Sequence, residues 1–287
     1  MISCDLGSNT IRFVEIDCIS RKRIGEFERI VKTAEGLNQT GNISEKALKK
    51  IINSIKDAQK RFDFSKGVVA VATEALRRAK NKTEILEEIF QQTALKFKIL
   101  TGEEEAFYTN YAVREQIVTK SYMLLDIGGG STEISFVGEK VFSNSFSFGI
   151  VTLTEEGLEK NLSSKLDEIK KYFQDKQIPK TCVATAGTPT TIAAFIKGMD
   201  YNSYDYTKIS KTILTIDDIQ QTKKELLKLS FEERKKWVGV GREDLIITGI
   251  EIFLGILNLF NFKKCIVIDE GLREGVALYY CDKKFNY

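Results

Sequence analysis

Asp5-Leu6-Gly7-Ser8-Asn9-Thr10 and Asp126-Ile127-Gly128-Gly129-Gly130-Ser131-Thr132-Glu133 repeat one pattern at two places in the chain. Each has an acid at the end of an apolar run, then glycine and hydroxyl residues, then a second strand-like run. Glycine lets the backbone turn tightly and come close to a ligand, so successive amides can point at phosphate oxygens while the acid holds a divalent cation. A single glycine triplet is more often only a tight turn. Two loops of matching context, one in each half, shift the reading to a duplicated phosphate-binding hairpin.

Outward from the first loop, Ile11 to Asp17 alternates like a strand, Arg21-Lys22-Arg23 marks a turn, and Ile24 to Val31 returns as a third strand, a β-meander. Ser44 caps an expected helix whose Ala47, Ile51, Ile52, Ile55, Ala58 and Phe62 share one 3.6-period face. A strand at Val68 to Thr73, a helix around Thr83 to Lys96, a strand at Phe97 to Leu100 and a helix from Glu103 to about Gln116 follow. The second half restarts at Tyr122 with the same strand, loop, strand order, and Glu133 to Val137 and Val141 to Phe146 continue it. Cys182 to Thr185 runs into Ala186-Gly187-Thr188, with Pro189 expected to open a helix. Ile266 to Ile268 runs into Asp269-Glu270-Gly271 before a last helix. The restart implies an internal duplication and two α/β domains, residues 1–120 and 121–287, with the helix at 272–281 free to pack back on the first.

Composition narrows the chemistry. The 287 residues are 43% hydrophobic and 29% charged, ordinary for a globular chain of two cores. Lys and Arg total 43 against 40 acids, a net charge of +3, which gives no broad basic field for nucleic acid. Histidine is absent, so the usual general base and the commonest transition-metal ligand are missing and chemistry falls to carboxylates, Arg, Lys and backbone. The five cysteines include no CxxC pair, which suggests neither a zinc site nor a disulfide framework and points to a reducing cytoplasm. The N-terminus lacks a signal-peptide pattern. Leu245 to Phe262 is shorter than the ~20 predominantly apolar residues a membrane span needs and reads as a buried core helix.

The chain has no GxxxxGK[ST], and Gly239-Val240-Gly241 lacks the third glycine of a dinucleotide fingerprint. It does resemble the exopolyphosphatase and guanosine pentaphosphate phosphohydrolase family, which belongs to the actin, heat-shock ATPase and sugar kinase superfamily. The resemblance runs nearly end to end. It is carried by Asp5 to Thr10, Ala72-Thr73-Glu74-Ala75-Leu76-Arg77, Thr101-Gly102-Glu103-Glu104-Glu105-Ala106, Asp126 to Glu133, Ala186-Gly187-Thr188 and Gly271-Leu272-Arg273-Glu274-Gly275. It implies two ribonuclease-H-like domains around a central cleft, and Mg²⁺-dependent hydrolysis, with Mn²⁺ as an alternative ion. The implied substrate is polyphosphate or guanosine pentaphosphate, at its terminal phosphate.

The same resemblance assigns roles. Asp126 and Glu133 would be the Mg²⁺ carboxylates, with Asp5 a weaker, water-mediated ligand; the plain alternative is a strand-end acid and a solvent-facing strand residue. Glu105 would be the general base, although acids at a helix start also serve as dipole-favoured caps. Arg77 and Arg273 would bind phosphate oxygens through the guanidinium fork, with an ion pair as the alternative for Arg273. Gly7, Ser8, Asn9, Gly128, Gly129, Gly130, Ser131, Thr132, Gly187 and Thr188 would supply amides and hydroxyls. Long members of the family carry a further histidine- and aspartate-containing helical region, so this chain is read as a short, two-domain member. Tyr201 to Ile209 and Phe231 to Gly241 depart from the family pattern. Two other readings stay open, a superfamily kinase or ATPase and a non-catalytic sensor of polyphosphate or guanosine penta- or tetraphosphate. No nucleic-acid or membrane partner is expected, and a homodimer is compatible with the aromatic content.

Overall fold

The computed structural model describes residues 1–285; residue 287, the expected end of the second domain, lies outside them. The chain forms two compact units, one made of Met1–Glu115 with the segment that starts at Gly271, the other of Gln116–Glu270.

In the first unit β1 (Ile2–Leu6), β2 (Thr10–Asp17) and β3 (Lys22–Ile30) form the expected antiparallel meander. Then come α1 (Leu37–Thr40), α2 (Glu45–Gln59), β4 (Val68–Ala72), α3 (Glu74–Arg78), α4 (Lys82–Thr93), β5 (Phe97–Ile99) and α5 (Gly102–Val113). The sheet order is β3-β2-β1-β4-β5, with β4 and β5 parallel to β1. β1 lies between two neighbours and is buried along most of its length, whereas β3 alternates exposure as an edge strand does. The Ser44 hydroxyl accepts from the Ala47 amide at 3.2 Å, the cap that the sequence indicated for α2.

The second unit repeats the plan. β6 (Tyr122–Ile127), β7 (Thr132–Val137) and β8 (Phe142–Phe146) form a meander, followed by α6 (Ile150–Glu156), α7 (Leu158–Phe173), β9 (Cys182–Thr185), α8 (Gly187–Ile196) and α9 (Tyr206–Ile209). Next are β10 (Ile213–Thr215), α10 (Ile216–Lys228), α11 (Phe231–Val238), α12 (Ile246–Leu259) and β11 (Lys264–Val267). Its order, β8-β7-β6-β9-β11-β10, is that of the first sheet with one antiparallel edge strand added. The fold is therefore α/β with two sheets of repeated plan, as the restart implied, and these are ribonuclease-H-like, as the family resemblance implied. The apolar run after Leu245 is α12, a helix buried against α6, α7, α8 and α10. Among the described residues no helix is long and apolar enough to cross a membrane. α8 begins at Gly187, so Pro189 lies within its first turn and does not open it.

The last helix, α13 (Leu272–Phe285), packs in the first unit on α5, β1 and β2. The approach to α5 is close: a Cβ on Gly275 would stand 1.7 Å from the Tyr108 carbonyl oxygen. Here the structure corrects the expectation of no disulfide, because Cys18, beyond the end of β2, is bonded to Cys281 of α13. The two are separated by 263 residues, and spacing rules of the CxxC kind do not register partners joined only by packing. Cys4, Cys182 and Cys265 are free and buried.

Candidate active site

Both loops are held by the same device. In the second unit the Gly128 amide donates to the Ser131 carbonyl at 2.9 Å, closing the turn between β6 and β7. The Gly128 carbonyl accepts from the Ile150 amide at 3.0 Å and the Gly129 carbonyl from the Val151 amide at 2.7 Å, both at the start of α6. In the first unit the Gly7 amide donates to the Thr10 carbonyl at 2.9 Å, the Asn9 carbonyl accepts from Val31 and Lys32, and the Ser8 carbonyl accepts from Ala34. In a trans peptide the N–H points opposite to the C=O. Carbonyls tied to the segment after the meander therefore turn the amides of Gly129 and Gly130, and of Asn9, the other way. None of these three amides donates to an acceptor among the described residues. The arrangement is a backbone concavity suited to anion oxygens. Gly149 is required beside it, since a Cβ there would stand 2.4 Å from the Gly128 carbonyl oxygen.

The carboxylates follow from strand register. Asp126 on β6 and Glu133 on β7 are directly paired residues of the antiparallel ladder, so their side chains share one face of the sheet beside the glycine loop. Asp126 also pairs with Thr185 on β9. Ser145 on β8, opposite Glu133, donates its hydroxyl to Glu133 Oε1 at 2.6 Å and orients that carboxylate. At the equivalent register of the first unit, Asp5 faces Arg12. Arg12 in turn pairs with Glu28 at 2.8 Å. Burial alone would lower the pKa of Arg12, but Glu28 chiefly, with Asp5 and Glu274, outweighs it and raises the value. One hairpin thus sets two acids opposite each other and the other sets an acid opposite a base.

The acidic run at the start of α5 divides by geometry. Glu103 is exposed, while Glu104 completes a capping box with Thr101, accepting from the Thr101 amide at 2.9 Å as its own amide donates to the Thr101 hydroxyl. Glu105, one residue further round the helix, is 6% exposed. Its Oε2 accepts from Arg77 Nη1 at 2.7 Å, so two of the residues singled out in the sequence meet directly. Arg77 also donates from Nη1 to the Leu100 carbonyl at 2.6 Å, and from Nε and Nη2 to Glu74 Oε2 at 3.0 and 2.6 Å. Burial acts to lower the Arg77 pKa, yet Glu105 and then Glu74 raise it overall. Arg77 is a fixed cation between two buried acids.

Other expected phosphate contacts have different surroundings. The Thr132 hydroxyl is fully buried and donates to the Phe148 carbonyl at 2.8 Å. Thr188 is buried in the first turn of α8, after an Ala186 held at φ 72°, a left-handed backbone that an alanine adopts only under constraint. Arg273 is shared between Glu274, at 2.6 Å from Nε, and Glu26, at 3.3 Å from Nη2. Glu74 and Arg12 are residues to which the sequence analysis gave no role. Glu74 stands three positions before Arg77, an i,i+3 spacing that allows an ion pair on a helix, and Arg12 stands seven after Asp5 as Glu133 does after Asp126.

Residues 14–284 match the Ppx/GppA phosphatase family. The chain is similar to the bifunctional 3-dehydroquinate synthase/phosphatase of Fusobacterium nucleatum subsp. nucleatum, 27% identical over 94% of this chain and 44% of that protein. It thus spans under half of that relative's length. It is also similar to exopolyphosphatase 1 of Mycobacterium leprae, 23% identical over 98% of this chain and 89% of that one. Among solved structures, the Aquifex aeolicus Ppx/GppA family member superposes with a TM-score of 0.78 at 33% identity, over 99% of this chain and 97% of that one. With a family match along nearly its whole length and the same fold in a family member, the chain belongs to the Ppx/GppA phosphatase family.

Proposed function

We propose that this protein hydrolyses the terminal phosphoanhydride of inorganic polyphosphate or of guanosine pentaphosphate, with Glu105 as general base. The observation that carries the reading is the Asp126–Glu133 pair beside a glycine loop whose carbonyls are tied back and whose amides are turned outward. Such a loop complements phosphate oxygens, and paired carboxylates complement the cation that accompanies them.

The donor set fits Mg²⁺. Among the described residues no three Asp, Glu, Cys or His side chains form a metal-holding group. Mg²⁺ is commonly bound by one or two carboxylates, with water and substrate phosphates completing its shell, and Asp126 and Glu133 would hold it in that way. Asp5 would act through water. Bound there, the ion would neutralise charge on the phosphoryl oxygens.

The chain's own residues supply the rest. Glu105 takes a proton from water as the water oxygen bonds to the terminal phosphorus and the bridging P–O bond breaks, releasing orthophosphate and a chain one phosphate shorter. Arg77 and the loop amides stabilise the equatorial oxygens. Arg273 takes part only by exchanging a carboxylate partner for phosphate. A cytoplasmic site of action belongs to the same reading, and there the Cys18–Cys281 bond would meet reducing conditions.

The test is phosphate release with Mg²⁺ from short polyphosphate, long polyphosphate and guanosine pentaphosphate, beside Glu105→Gln. Release that this variant loses by ~10²-fold or more, with binding retained, is expected. No release from any of the three would overturn the reading in favour of a binding protein, and a variant as active as the parent would remove Glu105 as the base.

A further inference from the structure

Arg77 carries five N–H groups, and four of them are engaged: Nε–H and one Nη2–H by Glu74 Oε2, both Nη1–H by the Leu100 carbonyl and Glu105 Oε2. One Nη2–H remains. A phosphate oxygen pair can therefore take the guanidinium in the bidentate manner only if an existing partner lets go. Both carboxylate partners are buried, but they differ in how many bonds release would break, two to Glu74 against one to Glu105. The Glu74 side chain is 4% exposed, and its second oxygen, Oε1, accepts no hydrogen bond; Arg78 Nε stands 3.9 Å away. Withdrawing Arg77 from Glu74 would strip a buried carboxylate of its hydrogen bonds, and a buried charge without them is strongly disfavoured. Glu105 sits at the other edge, through a single bond to Nη1.

We propose that Glu74 is a positioning residue: it fixes the Nε/Nη2 edge of Arg77, so that the Nη1 edge alone exchanges between the Glu105 carboxylate and an incoming phosphate oxygen. The inference rests on Glu105 as base and Arg77 as phosphate contact. Its consequence is that substrate releases its own base. Before binding, the Glu105 oxygen is occupied by Arg77; once a phosphate oxygen takes Nη1, that carboxylate oxygen can accept from water. Glu74 keeps the guanidinium in place through the exchange, and it does so without touching substrate.

Glu74→Gln tests this, because it removes the charge and keeps the shape. With only one acid left to attract it, Arg77 stays with Glu105 and phosphate must compete for it. In a variant that circular dichroism shows to be folded, calorimetric binding of tripolyphosphate is expected to weaken about tenfold, with KM rising by a like factor. On an Arg77→Ala background the same change should add less than twofold, because Glu74 acts through Arg77. Glu74→Asp, with the charge kept but drawn back one methylene, should fall between, and it replaces the Gln variant if that one fails to fold. Parent-like binding and KM in a folded Glu74 variant, or full additivity with Arg77→Ala, would overturn the proposal. A parent that releases no phosphate, or an active Glu105→Gln, would instead sink the catalytic reading, and the binding measurement still judges Glu74.

Discussion

Asp126 and Glu133 are directly opposite each other across the β6–β7 ladder, at the register where Asp5 and Arg12 face each other across β1 and β2. The two hairpins share backbone geometry and differ in charge. A cation is favoured between two acids and disfavoured where a guanidinium already balances the acid. The two hairpins thus differ in what their side chains offer: under the proposed function the acid pair of the second would hold the ion directly, while Arg12 leaves Asp5 to act only through water.

Asp126→Asn and Glu133→Gln should each abolish measurable Mn²⁺ or Mg²⁺ binding by calorimetry in the presence of tripolyphosphate. Ser145→Ala, which removes the hydroxyl that orients Glu133, should weaken it by about tenfold, the scale of outer-shell partners. Metal affinity unchanged by either carboxylate substitution would place the ion elsewhere.

Gly275→Ala should destabilise the protein. The new methyl would meet the Tyr108 carbonyl of α5 at 1.7 Å, which the backbone relieves only by moving α13 away from the helix that bears Glu105. A loss of at least about 1–3 kcal/mol is expected from denaturant unfolding, as for overpacked cores. A variant with the parent's midpoint would contradict the close approach.

Acid should weaken the first unit through Glu274. This residue is 2% exposed and receives Arg273 Nε at 2.6 Å, Arg23 Nη2 at 3.1 Å and the Gly271 amide at 2.9 Å. Burial would raise its pKa, but Arg273, Arg23 and the Gly271 amide outweigh burial and hold it below the ordinary value. A carboxyl group held lower in the folded chain adds stability above its unfolded pKa, about 4.3. That contribution is lost as pH falls through the lower folded value. Melting temperature should therefore drop below about pH 4.3. Glu274→Gln should cost about 3–5 kcal/mol at neutral pH, by leaving two arginines without their buried partner, and should flatten the acid limb. An acid limb as steep as the parent's would show that other groups set it.

Reduction should loosen the end of α13. The Cys18–Cys281 bond closes a long loop, and such bonds contribute about 2–4 kcal/mol. Beside it Arg21 donates to Asp282 at 2.5 Å, and Tyr111 also hydrogen-bonds Asp282. Cys281→Ser and reductant should lower the melting temperature equally, and reductant should then have no further effect on the variant. Equal stability of oxidised and reduced protein would mean that packing alone holds the helix.

Much of this protein is written locally. The repeated loops, the two meanders, the Ser44 cap and the buried helix after Leu245 were legible because strand alternation, helical periodicity and glycine turns are short-range preferences of the backbone. The absence of histidine likewise left the chemistry to carboxylates, arginines, lysines and backbone before any fold was known. Among three consecutive glutamates, the Thr101-x-x-Glu104 spacing makes a local cap, but only the packing of α5 buried Glu105 against Arg77. Only the register of β6 and β7 set Asp126 opposite Glu133, and only the return of α13 to β2 joined Cys18 to Cys281. Sequence spacing records which residues share a face of one element. Which faces meet depends on topology, through contacts between segments far apart in the chain, and there the charges find the partners that set what each residue can do.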